Sequence, residues 1–194
     1  VSYTDAHTAS KAFDELRTKE IMVVGNGIAR ITDGSYAQDL QAAVIGKPLH
    51  LQVTDADLDV SAKADELSSE IQIFRKKTPD EIDDEVARGV ASGELTEGPD
   101  GEDMKTKIDP LLLLRSLPVK LTESEEPGVF RSAIPLLSGS TGDALTGETG
   151  QIIRLVYRDE RHLGEGTLVR SSEARVIEGN LGEMRVTRTE ISDQ

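Results

Sequence analysis

Residues 47–59 read KPLHLQVTDADLD. The first half of this stretch alternates polar and apolar side chains, so that Leu49, Leu51 and Val53 fall at every second position. Such a period of two is typical of a β-strand with one buried face. The second half carries three carboxylates, also at alternate positions: Asp55, Asp57 and Asp59. The stretch therefore predicts a strand that ends in an acidic turn.

Other segments share this short, β-branched, alternating character and are separated by turns rich in Gly, Pro, Asp and Ser. The predicted strands cover roughly 28–37, 47–54, 69–76, 117–122, 129–137, 151–158 and 167–177. A sandwich of the immunoglobulin-like type needs about seven such strands. We therefore predict an all-β fold, an immunoglobulin-like antiparallel β-sandwich.

The connection 77–116 is too long for a turn and contains the one helix predicted outside this pattern. Thr78 can cap the helix and Pro79 suits its first turn. An apolar stripe at helical spacing follows, at Ile82, Val86 and Val90. The run IDPLLLLRS at 108–116 brings four leucines that need burial, in the core or in an intersubunit contact. We expect 77–116 to be a partly helical insertion between strands.

The composition narrows the classes of partner. The chain has 194 residues and a formal net charge of −14, which would repel a phosphate backbone and argues against nucleic acid. Cations and basic partners are favoured instead. There is no cysteine, which excludes disulfides and thiolate ligands. No stretch approaches the roughly 20 apolar residues of a transmembrane segment.

Two short patterns occur twice in the same order, which predicts an internal repeat. VSYTD at 1–5 resembles VYRD at 156–159, and IARITDG at 28–34 resembles EARVIEG at 173–179. The first copy is longer between its two patterns, and its extra residues fall in TASKAFDELRTKE at 8–20, where we expect a short helix. The predicted units are 1–27 as terminal strands of a preceding-type repeat or a donor segment, 28–177 as the sandwich domain, and 178–194 as a linker or the first strand of a following repeat.

Three acidic turns are predicted to meet at one end of the sandwich. Consecutive antiparallel strands reverse direction, so the loops after the second, fourth and sixth predicted strands share one end. Ca²⁺ binds about six to eight oxygen ligands, and these loops are rich in carboxylates. The candidate metal ligands are Asp55, Asp57, Asp59, Glu123, Asp159 and Glu160. The alternative is a solvated turn without a cation, because Asp is a common turn residue in an acidic chain.

Histidines offer a weaker metal hypothesis. His7 and His162 follow the paired Asp5 and Asp159 at nearly equal distances, so both copies of the repeat place a histidine in the same loop. A histidine with carboxylates can bind Zn²⁺. Exposed loop histidines without a metal are the commoner case.

Three segments follow one another along the chain: LHLQVTDADLD at 49–59, PVKLTESEEPGVFRSAIPL at 118–136 and GETGQIIRLVYRDE at 147–160. In these segments and in their order the chain resembles the tandem immunoglobulin-like repeats of large bacterial and archaeal surface proteins. Ser124 stands where the family usually has Thr, Glu148 to Gly150 replace its Gly-Asp, and the insertion is longer than usual. The resemblance implies a noncatalytic module in an extracellular or cell-surface place.

The leading functional prediction is a noncatalytic structural module of a surface fibre, surface layer or adhesin, rigidified by Ca²⁺. We expect it to assemble through repeated end-to-end or strand-addition contacts, as a homopolymer or with adjoining repeats. The strand-turn Gly25-Asn26-Gly27 lacks the third glycine and the helix of a dinucleotide-binding site, and no hydrolase motif occurs. Catalysis is therefore not expected. The alternative is a jelly-roll viral capsid or virion surface protein, such as one from a salt-loving host.

Overall fold

The computed structural model describes residues 2–5, 15–18, 25–61, 63–95, 104–139, 144–162 and 164–179, the first two of these ranges as backbone only. Its strands and helix are, in chain order, β1 Ser2–Asp5, β2 Glu15–Thr18, β3 Ile28–Thr32, β4 Ala42–Val44, β5 Pro48–Thr54, β6 Glu66–Lys76, α1 Pro79–Ser92, β7 Leu111–Glu123, β8 Val129–Pro135, β9 Leu137–Ser138, β10 Thr146–Gly147, β11 Ile152–Asp159 and β12 Leu168–Ile177. A mostly β architecture with a helix inside the predicted insertion is thus confirmed.

Eight strands form one mixed sheet in the order β3-β5-β8-β7-β6-β11-β12-β4. The sheet curls strongly into a half-barrel, so that β3 at one edge also lies against β12 near the other edge. One hydrogen bond crosses this seam, from the Ile31 amide to Ser172 Oγ at 3.0 Å. A sandwich predicts two separate sheets, whereas here β7 connects the two sides because Thr122 and Glu123 pair with β8.

The alternation that predicted β5 is confirmed, since Leu49, Leu51 and Val53 are all buried. They belong to a core that fills the inside of the curl with aliphatic side chains from β3, β5, β6, β7, β11 and β12. β3 is shorter than predicted because Asp33 begins a loop, in which its carboxylate accepts the amides of Ala37 and Gln38. Side-chain bonds of this kind compete with a strand ladder.

The four leucines of 111–114 belong to β7, which begins earlier than predicted. Leu113 and Leu114 remain 47% and 45% exposed, so the expected burial is not reached for these two side chains. Arg115, the next residue, donates to the backbone oxygen and to Oγ1 of Thr146 at 3.0 and 2.8 Å.

One edge of β7 is largely unpaired in the described part of the chain. β7 pairs with β6 along its whole length, but on its other side it meets β8 only at Thr122 and Glu123. Pro118 lies opposite Glu70 in the middle of the strand. Proline has no amide hydrogen, so within sheets it is confined to edge strands and similar positions.

The predicted helix is confirmed as α1. Thr78 caps it in a reciprocal arrangement with Glu81, and Gly93 ends it with a φ of 76°. Two ion pairs hold the helix to the end of β6, with Arg75 bound to Glu81 at 2.5 Å and Lys77 to Glu85 at 2.5 Å.

β1 and β2 form a separate antiparallel pair. The short helix predicted for 8–20 is wrong at Glu15–Thr18, which is strand β2, and the rest of that prediction lies outside the described residues. His7 and residues 180–194 also lie outside them. Among the described helices, none is long and apolar enough to cross a membrane.

Candidate functional site

Three acidic turns meet at one end of the curled sheet, as the strand directions predict. They follow β5, β7 and β11, which end at Thr54, Glu123 and Asp159. Contacts join the turns directly: the Arg161 side chain, for example, donates to the backbone oxygen of Asp57 at 3.0 Å. The acidic residues of this end fall into two groups with different surroundings.

The first group is buried and centred on Asp55, which is only 3% exposed. The Tyr157 hydroxyl donates to Asp55 Oδ2 at 2.5 Å, and the Asp57 amide donates to Asp55 Oδ1 at 3.0 Å. Burial, followed by the hydrogen bond to Asp55, raises the pKa of the Tyr157 phenol above its ordinary value. The phenol therefore remains a donor, and both oxygens of the buried carboxylate are engaged by protein groups.

Asp159 is also fully buried and holds the chain where it enters β3. Its Oδ2 accepts the Gly27 amide at 2.8 Å, and its Oδ1 accepts the Arg161 amide at 3.0 Å. Beside it, Asp57 Oδ2 accepts the Gly25 amide at 2.8 Å. We call Asp57, Asp159, Gly25 and Gly27 the linker clamp, because two carboxylates fix two amides of the segment that leads into the sheet.

Glycine is required at two points of this end. A Cβ at Gly27 would lie 2.4 Å from Tyr157 Cε1, so no side chain fits between the linker and the phenol ring. Gly128 has a φ of 71°, and a Cβ there would lie 2.8 Å from the Cα of Ala56. The carbonyl of Gly128 accepts the Asp55 amide at 2.8 Å, which draws the turn after β7 against the turn after β5.

The second group of acids reaches the surface at the exposed Asp59 and could hold a metal ion; we call Asp59, Asp65 and Glu123 the surface group. One carboxylate oxygen each of Asp59, Asp65 and Glu123 can be chosen so that all three lie within 4.8 Å of one another. The group borders an open groove of about 400 Å³, to which Ser124 and Glu125 also contribute. All of these donors are oxygens, which suits a hard cation such as Ca²⁺.

Asp65 and Glu123 already have partners in this group. Asp65 Oδ2 accepts the amides of Val60 and Ser61, each at 3.1 Å. Glu123 accepts the Gly128 amide at 2.7 Å and the Asp65 amide at 3.1 Å. A carboxylate oxygen has a second lone pair, so these bonds orient the two groups and still permit coordination.

The structure separates the six predicted metal ligands. Asp59 and Glu123 lie together in the surface group. Asp55 is buried against Tyr157, while Asp57 and Asp159 belong to the linker clamp. Glu160 is exposed and lines a different groove of about 240 Å³ beside Tyr157.

The sequence pattern missed Asp65 and Gly27 as parts of this end, and it did not predict the hydrogen bond from Tyr157 to Asp55. Asp65 lies in a loop with no periodic signal, and Gly27 is 132 residues from the carboxylate that binds it. The zinc hypothesis gains no support here, since no group of potential ligands in the described residues contains a histidine. His162 instead makes a ring-nitrogen contact with the Gly166 carbonyl at 3.1 Å.

No known protein-family model matches the chain, and a comparison with characterised proteins finds no similar sequence.

Proposed function

We propose that the chain is a noncatalytic structural module of an extracellular surface assembly, a fibre, surface layer or adhesin, in which it transmits tension along the polypeptide. Its role is mechanical, so its resistance to force depends on how an early strand of the sheet, β4, is joined to the last strand, β12. The curled sheet, its acidic end and the resemblance to surface-protein repeats support this proposal together.

The strand order supports an immunoglobulin-like plan for the module. β3, β5 and β8 form one side of the curl, and β7, β6, β11, β12 and β4 form the other. The chain changes sides between β3 and β4, pairing first with β5 and then with the last strand. The jelly-roll alternative has less support, because it needs two sides of four strands each, whereas the two sides of this curl have three and five.

The parallel pairing of β4 with β12 is the observation that carries the proposal. Its register runs from Ala42 opposite Arg175 to Val44 opposite Ile177. Force that reaches β4 from its N-terminal side, through the linker clamp and β3, and β12 from its C-terminal side pulls these parallel strands in opposite directions along their axes. The hydrogen bonds between them are then loaded together in shear, and no single bond opens first. Two flanking bonds extend the pair, from the Arg175 amide to Gln41 at 2.8 Å and from the Ile45 amide to Ile177 at 3.0 Å.

Single-molecule pulling from the two ends tests the mechanical role. Ile45→Pro removes the amide donor to Ile177. Leu67→Ala is the control, because it opens a cavity in the core on β6, away from the β4 and β12 pair. We expect Ile45→Pro to lower the unfolding force much more than Leu67→Ala at a similar loss of thermal stability. A wild-type chain that extends at low force, or two variants with equal forces, would refute the role.

Calcium is the cation that we propose for the surface group. Asp59, Asp65 and Glu123 would hold it, and it would tie the turn after β5 to the turn after β7. Binding to the native state alone raises stability by about 2.7 kcal/mol when the free metal is at 100 times its Kd. We expect excess EDTA to lower the melting temperature of the wild type and not that of Asp59→Asn. Asp80→Asn, on the exposed helix surface, is the control and should respond to EDTA as the wild type does.

A further inference from the structure

A groove with two cations lies at the end of the sheet opposite to the acidic turns. It has a volume of about 360 Å³ and is formed by the last part of β6, the first part of β11 and the last part of β12. Lys76 and Arg175 supply its positive charge, and Ile152 supplies apolar surface. We call it the cationic groove.

The charge of this groove is not balanced locally. Its one acid, Glu173, is bound by Arg154 with Nε to Oε1 at 2.6 Å. Neither Lys76 nor Arg175 forms an ion pair with an acid among the described residues. Two adjacent cations without an acidic partner of their own suit a carboxylate-bearing partner, and a chain with a formal net charge of −14 offers many carboxylates.

The opposite end presents such carboxylates on a preorganised turn. Residues 124–128 connect β7 to β8, and we call residues 124–127 the acidic turn. The Ser124 amide bonds to the Val129 carbonyl at 2.8 Å, and the Glu126 amide bonds to Ser124 Oγ at 3.2 Å. Glu125 and Glu126 are exposed at its tip, and Glu126 also lies 3.6 Å from the Arg131 guanidinium in a long, exposed ion pair that leaves it accessible. A turn that is already ordered loses little conformational entropy on binding.

We propose that the acidic turn of one copy docks into the cationic groove of a second copy. The inference rests on the proposed structural role and specifies how the modules join. The two surfaces differ and lie at opposite ends of the sheet, so the contact is heterologous and can propagate head to tail without closing. The partner is a second copy of this chain, chosen by charge complementarity between two surfaces that each copy carries.

Charge reversal provides the test, with the average mass in solution measured by sedimentation over a concentration series. At about 0.1 M salt, where the general repulsion between acidic chains is screened beyond roughly 10 Å, we expect wild-type mass to rise past that of a dimer. At about 1 M salt the close ion pairs weaken as well, so the mass should return toward the monomer.

Two variants make the test specific. Lys76→Glu with Arg175→Glu gives two acidic surfaces, and Glu125→Lys with Glu126→Lys gives two basic surfaces, so each variant alone should remain monomeric. A mixture of the two should assemble again, and so should the chain that carries all four changes. Circular dichroism and melting curves check that each variant is folded. If one pair of changes prevents folding, the other double variant still tests whether reversing the charge of one surface abolishes assembly.

Several results would overturn the contact. These are a wild type that stays monomeric at both salt concentrations, a mass that stops at the dimer, single-surface variants that assemble like the wild type, or a mixture that stays monomeric. None of them alters the unfolding force expected for a single chain in the pulling experiment on β4 and β12. A failure of this contact is therefore distinguishable from a failure of the mechanical role.

Discussion

Replacing Tyr157 by Phe should destabilise the domain because it removes one buried hydrogen bond. The variant keeps the buried ring and removes the hydroxyl that donates to Asp55 Oδ2 at 2.5 Å. Hydrogen bonds to charged groups contribute about 1.5 to 3 kcal/mol, and an acceptor left buried without its donor adds a desolvation penalty. Because Asp55 is only 3% exposed, water cannot readily replace the donor. We expect a loss of about 2 to 3 kcal/mol in the free energy of unfolding.

Urea denaturation and thermal melts measure this loss. At this chain length 1 kcal/mol corresponds to about 2 to 4 °C, so the melting temperature should fall by roughly 4 to 12 °C. Tyr36→Phe is the matched control, because the Tyr36 hydroxyl makes only a 3.5 Å contact with His50 Nδ1 and its loss should change stability by less than about 0.5 kcal/mol. A double-mutant cycle with Asp55→Asn isolates the pairwise contribution. Equal effects of Tyr157→Phe and Tyr36→Phe would refute the reasoning.

Three further predictions concern the same contacts and the helix. Gly27→Ala should destabilise the domain, because its Cβ would lie 2.4 Å from the Tyr157 ring, whereas Gly25→Ala has no contact closer than 3.9 Å and should be tolerated; melting temperatures that fall equally would contradict this. The raised pKa of Tyr157 means that above pH 10 the unfolded chain releases a phenol proton that the native state keeps, so the free energy of unfolding should fall by up to about 1.4 kcal/mol per pH unit. Tyr157→Phe should remove that part of the alkaline loss, as urea titrations between pH 9 and roughly 11 would show. Hydrogen bonds from Arg75, with a smaller contribution from the Thr78 amide, lower the pKa of Glu81 to about 2, so the stabilisation of α1 should be present above the ordinary pKa of 4.5 and be lost as the pH falls toward 2. Amide exchange in α1 should show this acid sensitivity in the wild type and not in Glu81→Gln.

The sequence predicted the strands well because burial imposes a simple period. In β5 the alternation of Leu49, Leu51 and Val53 matches the side that faces the core. The meeting of the acidic turns was also predictable, since it follows from strand directions. β4 was missed because three residues are too few to show a period.

The roles of the individual carboxylates could not be predicted, because the alternation does not continue past β5. Asp55 caps a short 3₁₀ turn over Ala56–Leu58. Within such a turn the two-residue alternation of a strand no longer decides which way a side chain points. Three aspartates that look equivalent in the sequence therefore have a buried, a clamping and a surface position. The donors that distinguish them, such as Gly27, come from distant parts of the chain.

Pro118 has a consequence for a protein made of many similar units. Neighbouring modules in one polypeptide are held at high effective concentration, and an open strand edge on one could capture a strand of the next during folding. Pro118 interrupts the long edge of β7 at its middle, so a captured strand could not complete a ladder there. In the tandem arrangement that we propose for this chain, Pro118→Val would make neighbouring modules prone to misassembly. The residue would then protect the array during synthesis.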